Sequence, residues 1–258
     1  MTEADELAAL STELRAWIAA AAARGWVADA PTAVEPSVPA TPAPLPDLGG
    51  WAQLAATARE TRDPARDLQK VRADLGDCRR CVLCKERTNL VFGVGDPAAE
   101  LVIVGEGPGY HEDQQGEPFV GPAGEMLDKM LANVLGLQRS EVYILNVVKC
   151  RPPKNRTPLP DEIAACRPFL ERQIEAIRPK VILLLGGTAF QAVCDTSEGI
   201  TSGRGRWCEV HGIPTLPTFH PAYLLREPGD KRLALADLKS LRERYDALGG
   251  RRSAFRLT

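Results

Sequence analysis

Residues 100–109 read ELVIVGEGPG. Four apolar residues, Leu101 to Val104, run straight into a glycine-rich bend, the pattern of a buried strand that ends in a tight loop. The pattern recurs. EVYILNVVKC at 141–150, KVILLLGGTAF at 180–190 and IPTLPTFHPAYLL at 213–225 each carry a short β-branched run that stops at Asn, Gly-Gly or His-Pro. Helical periodicity fills the intervals 121–136, 160–178, 186–195 and 231–248. Strands alternating with helices predict an α/β fold: a three-layer α/β/α sandwich with a central, mainly parallel four-stranded sheet. Ligands of such sheets bind beyond the carboxyl ends of the strands. The glycine loop, Asn146, Gly186-Gly187 and His220-Pro221 lie at or just after strand ends, so they are expected to share one rim.

Outward from this core the chain is less regular. Its 258 residues are 44% apolar, enough for a real core, and its formal net charge of -2 is no global mark of a polyanion binder. The charge is uneven, however. Residues 1–70 hold ten acids and six bases, which leaves the remainder mildly basic and compatible with a polyanion. No run approaches the roughly 20 apolar residues of a membrane helix, and the acidic start MTEADELAAL has no basic leader region. A cytoplasmic protein without membrane attachment is expected, and there seven cysteines read as ligands or free thiols.

Residues 1–29 read as an N-terminal amphipathic helix, with Leu7, Leu10, Leu14, Trp17 and Ile18 at helical spacing. A helix that docks somewhere is the plain reading, and a specific protein partner the sharper one. Residues 30–50 form a Pro/Ala-rich linker, with six prolines between 30 and 48. A helical lead-in over 51–76, the main domain over 77–248 and a tail over 249–258 complete the organisation.

Cys78, Cys81 and Cys84 form C-x2-C-x2-C, and Cys150 and Cys166 form C-x15-C. Thiolates in two such groups make a metal site, and spacing alone leaves zinc and an iron–sulfur cluster both open. Five cysteines for four ligand positions leave one spare. Cys194 and Cys208 read as ordinary core or surface thiols.

Taken in order, GEGPG, EDQQGEPFVGPAGEML, NVVKCRPPKNRTPLPDE, LLLGGTAF and FHPAYLLR resemble the family 4 uracil-DNA glycosylases, the iron–sulfur class of their superfamily. The resemblance covers about 77–248. It implies a monofunctional enzyme of base excision repair, acting as a monomer on double- and single-stranded DNA. Such an enzyme flips uracil out of the strand, hydrolyses its N-glycosidic bond and leaves an abasic site. It also implies a structural 4Fe–4S cluster held by Cys78, Cys81, Cys150 and Cys166. Cys84 is then the spare, and it could exchange with Cys81.

The resemblance assigns roles that the residue chemistry can carry. Gly105, Gly107 and Gly109 let the backbone pass close to base and sugar, and Phe119 stacks on the uracil face. Asn146 pairs with N3–H and O4, a polarity that cytosine does not match. His220 donates to O2 as the bond breaks. Each has a plainer reading: Phe119 in the core, Asn146 capping a turn. Most enzymes of the superfamily's best-known class place a water-positioning aspartate where this chain has Gly107. Glu106, Glu112 and Asp113 are the carboxylates left for that task, with Glu106 nearest the family motif; capping is the structural alternative for Glu112 and Asp113. Tyr223, Leu224 and Leu225 are expected to form a wedge into the duplex, with Arg226 near phosphate. Lys149, Arg151, Lys154 and Arg156 make a basic loop suited to phosphates. PPKNRTPLP lacks the histidine with which a related branch traps itself on DNA, so turnover is expected. Two other classes compete: a non-catalytic iron–sulfur protein that binds nucleic acid or senses redox state, and a zinc module on an α/β ligand-binding domain. The presence of Phe119, Asn146 and His220 together disfavours a protein that has lost catalysis, and an absorbance spectrum separates iron–sulfur from zinc.

Overall fold

The computed structural model describes residues 63–251. The helix expected over 1–29, the linker over 30–50, the first part of the 51–76 lead-in and the end of the tail lie outside the described residues.

The sheet has six strands: β1 (Val94–Gly95), β2 (Leu101–Gly105), β3 (Tyr143–Asn146), β4 (Val181–Leu185), β5 (Cys208–Val210) and β6 (Ile213–Thr218). Their order is β1-β3-β2-β4-β6-β5. The four interior strands run parallel to one another, while β1 and β5 close the two edges in antiparallel pairing. The expected four-stranded sheet is therefore corrected to a six-stranded mixed one. The two extra strands are two and three residues long, too short for hydrophobic periodicity to declare them.

Among the described residues eight α-helices accompany the sheet: α1 (Pro64–Leu75), α2 (Tyr110–Gln115), α3 (Pro122–Met130), α4 (Pro160–Ile177), α5 (Gly187–Cys194), α6 (Ile200–Gly203), α7 (Pro221–Arg226) and α8 (Lys231–Ala247). Strand side chains alternate between faces. Val102, Val104, Leu145, Ile182 and Leu184 share one buried cluster with Leu170, Ile174 and Ile177 of α4 and with Ala189 and Phe190 of α5. Leu101, Ile103, Ile144, Leu183 and Leu216 share the other with Leu127 and Met130 of α3 and with Leu238, Leu241 and Tyr245 of α8. Burial on both faces explains why β2 and β4 read as unbroken apolar runs. Each fully buried aliphatic contributes about 1.5–3 kcal/mol, so the interior strands are the rigid part of the molecule.

α1 starts where Asp63 accepts the backbone N–H of Arg66 at 3.0 Å and stops at Gly76, φ 52°. It packs Val71 and Leu75 against Phe169 of α4. No helix among the described residues is long and apolar enough to cross a membrane.

Candidate active site

Parallel strands deliver their carboxyl ends to one edge. Gly105 and Asn146 are register partners at the ends of β2 and β3; Gly186 and His220 follow β4 and β6. A cavity of about 760 Å³ opens there, lined by Glu106, Gly107, Gly109, Phe119, Asn146, Gly186, Gly187 and His220. That volume suits a ligand of nucleotide size, and the expected rim is the one found.

Asn146 is 2% exposed, and its Oδ1 has no hydrogen-bond partner. An unpaired buried acceptor costs about 1–3 kcal/mol, so such atoms mark places where a partner is missing. Gly105 makes this geometry feasible. A Cβ there would stand 2.4 Å from Asn146 Oδ1 and 2.6 Å from the Phe119 ring. Phe119 is itself 6% exposed and takes φ 54°, a left-handed backbone that bulky residues rarely adopt. One carboxylate holds it there. Glu112 accepts the N–H groups of Val120 at 3.1 Å and Gly121 at 3.2 Å, and with its other oxygen that of Gly109 at 3.1 Å. The glycine loop and the Phe119 loop are thereby tied together.

The Phe119 and His220 rings stack at 5.5 Å between centroids, tilted by 27°. His220 caps α7, its Nδ1 accepting the N–H of Ala222 at 3.1 Å. That bond fixes the neutral tautomer with the proton on Nε2. Burial, aided by the positive charge of Arg226, pulls its pKa down to about 4. His220 is therefore a neutral imidazole at physiological pH with one N–H left to donate.

The three carboxylates separate by environment. Glu112 is committed to the loop as described. Asp113 is 1% exposed and accepts the N–H groups of Thr88 at 2.9 Å and Asn89 at 3.4 Å. Both are therefore spent on backbone, the structural alternative of the sequence reading. Glu106 alone lines the cavity without a backbone donor on its carboxylate, steadied by the hydroxyl of Thr188 at the start of α5. The aspartate missing at 107 has a steric reason: a Cβ on Gly107 would lie 2.7 Å from Val148 Cγ2.

The wedge region needs one correction. Leu224 is 2% exposed and packs in the core beside α3 and α8, so it is not available to DNA. Leu225 is 43% exposed and lines the cavity mouth with Arg226 and Tyr223. The Tyr223 hydroxyl donates to Asp230 at 2.7 Å and its ring leans on Phe219. In the basic loop, Lys154 is exposed with φ 53°. Arg156 reaches the cavity but forks onto the buried Glu162 at 2.8 and 2.6 Å, which makes it a strut as much as a phosphate contact. Arg156 and Lys154 thus differ in freedom though not in charge.

Lys149 is a residue that the sequence reading misplaced. It is 1% exposed, not part of a solvated basic loop, and its Nζ donates to the carbonyl of Asn146 at 2.7 Å. Burial lowers its pKa to about 8, with Cys166 pulling the other way. Among the described residues no carboxylate pairs with it. The signal was available: Lys149 ends the apolar run Val147-Val148 just past a buried strand.

Lys149 borders a second, smaller cavity with Cys78, Cys81, Cys84, Cys150 and Cys166. Arg87 donates to Cys150 Sγ at 3.1 Å, and Arg80 to Cys78 Sγ at 3.5 Å. Burial first, then neighbouring thiolates, raises the pKa of Cys81, Cys150 (to about 11) and Cys166. Away from this cavity, Cys194 and Cys208 are free, part-buried thiols, as expected, and their sulfurs lie in hydrogen-bonding contact at 2.9 Å between the end of α5 and β5.

Comparison with known proteins identifies the family. The uracil DNA glycosylase superfamily model matches residues 92–239. The type-4 uracil-DNA glycosylase of Sulfurisphaera tokodaii is 44% identical over 184 residues, 68% of this chain and 84% of that protein. The type-4 enzyme of Thermotoga maritima is 48% identical over 166 residues, 63% of this chain and 86% of its own. That of Archaeoglobus fulgidus is 43% identical over 184 residues, covering 68% and 92%. The chain thus belongs to the type-4 class of the uracil-DNA glycosylase superfamily and is a DNA-repair hydrolase of N-glycosyl bonds.

Proposed function

We propose that the 760 Å³ cavity reads an extruded uracil through Asn146, Phe119 and His220 and that Glu106 serves the sugar side of the reaction. The unpaired Asn146 Oδ1 carries this reading. Uracil brings an N3–H donor to that acceptor, and its O4 suits the amide N–H. Cytosine brings a bare N3 and an amino group, so acceptor would face acceptor and donor face donor. Phe119 offers the face on which the base stacks.

As the glycosidic bond breaks, its electron pair leaves with N1 of uracil and the negative charge spreads onto O2. A neutral His220 with its proton on Nε2 donates to that oxygen. A preorganised donor of this kind lowers the barrier by a few kcal/mol, about 3–4. Glu106, held by Thr188, faces the cationic sugar and orients the water that completes hydrolysis. No lysine is arranged to attack the sugar, so the product is an abasic site in an uncut strand. Leu225 and Arg226 at the cavity mouth meet the strand from which the base was taken, with Lys154 free to contact phosphate.

The cysteine cavity fits a 4Fe–4S cluster held by Cys78, Cys81, Cys150 and Cys166. The buried Lys149 side chain has no carboxylate partner among the described residues and faces the Cys166 thiol, Arg87 and Arg80 donate to two of the sulfurs, and a thiolate-bound cluster is anionic. The five sulfurs border one cavity. Bound there, the cluster supplies a structural clamp between the segment before β1 and the loop after β3.

Incubation of the purified protein with a uracil-containing oligonucleotide, then alkali and a sizing gel, tests the reading, with Asn146→Ala and His220→Ala alongside. Alkali-dependent cleavage at uracil that weakens in both variants is expected. Undiminished cleavage in Asn146→Ala would remove the base-reading role from the cavity.

A further inference from the structure

Tyr110 opens α2 at the mouth of the uracil cavity and is 54% exposed, although none of the base-reading contacts uses it. Its ring is not loose. The Arg151 guanidinium lies over it, 5.1 Å from the centroid. Arg151 is in turn fixed by a 2.7 Å hydrogen bond from its Nε to Asn155 Oδ1. His111 meets the ring edge-on at 5.6 Å and 79°. The result is an aromatic surface held by a cation and a histidine and open on the rest, beside a cavity that takes a base out of its stack.

A base leaving a strand deprives its neighbours of a stacking partner. An aromatic ring within one nucleotide of the cavity can replace it, because every nucleobase presents a π-face; such stacking contributes about 1–3 kcal/mol per base. A guanidinium behind the ring adds cation–π attraction and places positive charge near the backbone that carries that base. We propose that Tyr110, backed by Arg151, is a stacking platform for the nucleobase adjacent to the flipped uracil in the substrate strand. The proposal rests on the uracil reading of the cavity and adds a second base contact to it. It makes neighbouring sequence a determinant of efficiency, with stacking strength and not hydrogen bonding as the discriminator.

The test uses the full chain and single-stranded oligonucleotides with one uracil. The uracil is flanked by purines or by a tetrahydrofuran abasic residue on its 5′ or its 3′ side. The wild type is expected to lose about tenfold in kcat/KM when one of the two neighbours is abasic. Tyr110→Ala is expected to lose about tenfold on the purine-flanked strand and nothing further on that abasic one. Tyr110→Phe should behave as wild type, and inhibition by free uracil should be equal in all three, which checks that the cavity is intact. A Tyr110→Ala variant that loses equally on every substrate, or loses on none, overturns the platform. A wild type that releases no uracil at all would instead strike the reading on which the platform stands.

Discussion

The base cavity and the cysteine cavity lie on either side of one short segment, Asn146 to Cys150, and each leaves one group unmatched. In the first it is an acceptor, Asn146 Oδ1; in the second it is a cation, Lys149. The two are joined, since the Lys149 ammonium donates to the Asn146 carbonyl at 2.7 Å. An unmatched acceptor calls for a donor that comes and goes with substrate. An unmatched buried cation calls for a resident anion, because no folded protein tolerates it cheaply for long. The same accounting of buried polar groups thus supports the proposed base site and the proposed cluster site without reference to motif.

The largest effect is expected where the cation loses its role. With the cluster in place, Lys149→Met should destabilise the protein by about 3–5 kcal/mol, read as a fall in melting temperature together with reduced iron content. Unchanged iron and an unchanged melt would show that Lys149 does not answer an anion. Next, His220→Ala should lower single-turnover excision by about 10²–10³-fold while DNA binding is retained. An equal loss of binding would make His220 a structural cap of α7 and no more. Gly105→Ala should cost about 10²-fold, because the added methyl displaces Asn146 and Phe119 together. A substrate range unchanged in that variant would argue that the asparagine does not read the base.

The smallest effect concerns pH. His220 has its folded pKa pulled from 6.5 to about 4, so the unfolded chain binds a proton more readily than the folded one. Its contribution to stability is complete above pH 6.5 and is lost progressively as pH falls toward about 4. Melting curves of wild type and His220→Gln between those limits should diverge, with the variant less sensitive to acid. Parallel curves would mean that the ring is not held neutral by burial.

Much of this was legible in the sequence, for identifiable reasons. β2 and β4 are buried on both faces, so LVIV and VILLL stand out as unbroken apolar runs. Parallel strands must end on one edge, so the residues after them had to meet. The short edges β1 and β5 could not be read, since two or three residues carry no period. Leu224 was assigned to the wedge because its neighbours suit one, but α7 turns it into the core. Lys149 looked solvated because lysine usually is; only the burial of its neighbours on both sides shows otherwise. The Glu112 cap on Gly109 is local, but the N–H groups that Asp113 accepts come from Thr88 and Asn89, some 25 residues away, which local sequence does not bring together.

The two brief antiparallel edges have a consequence for behaviour in concentrated solution. A long, open edge strand templates pairing with another chain. Here the flanks are two and three residues long, and the four strands richest in aliphatics are enclosed between them. A sheet built this way offers little purchase for strand-to-strand association, so fibril formation or edge-mediated clumping should require loss of the fold and not merely crowding.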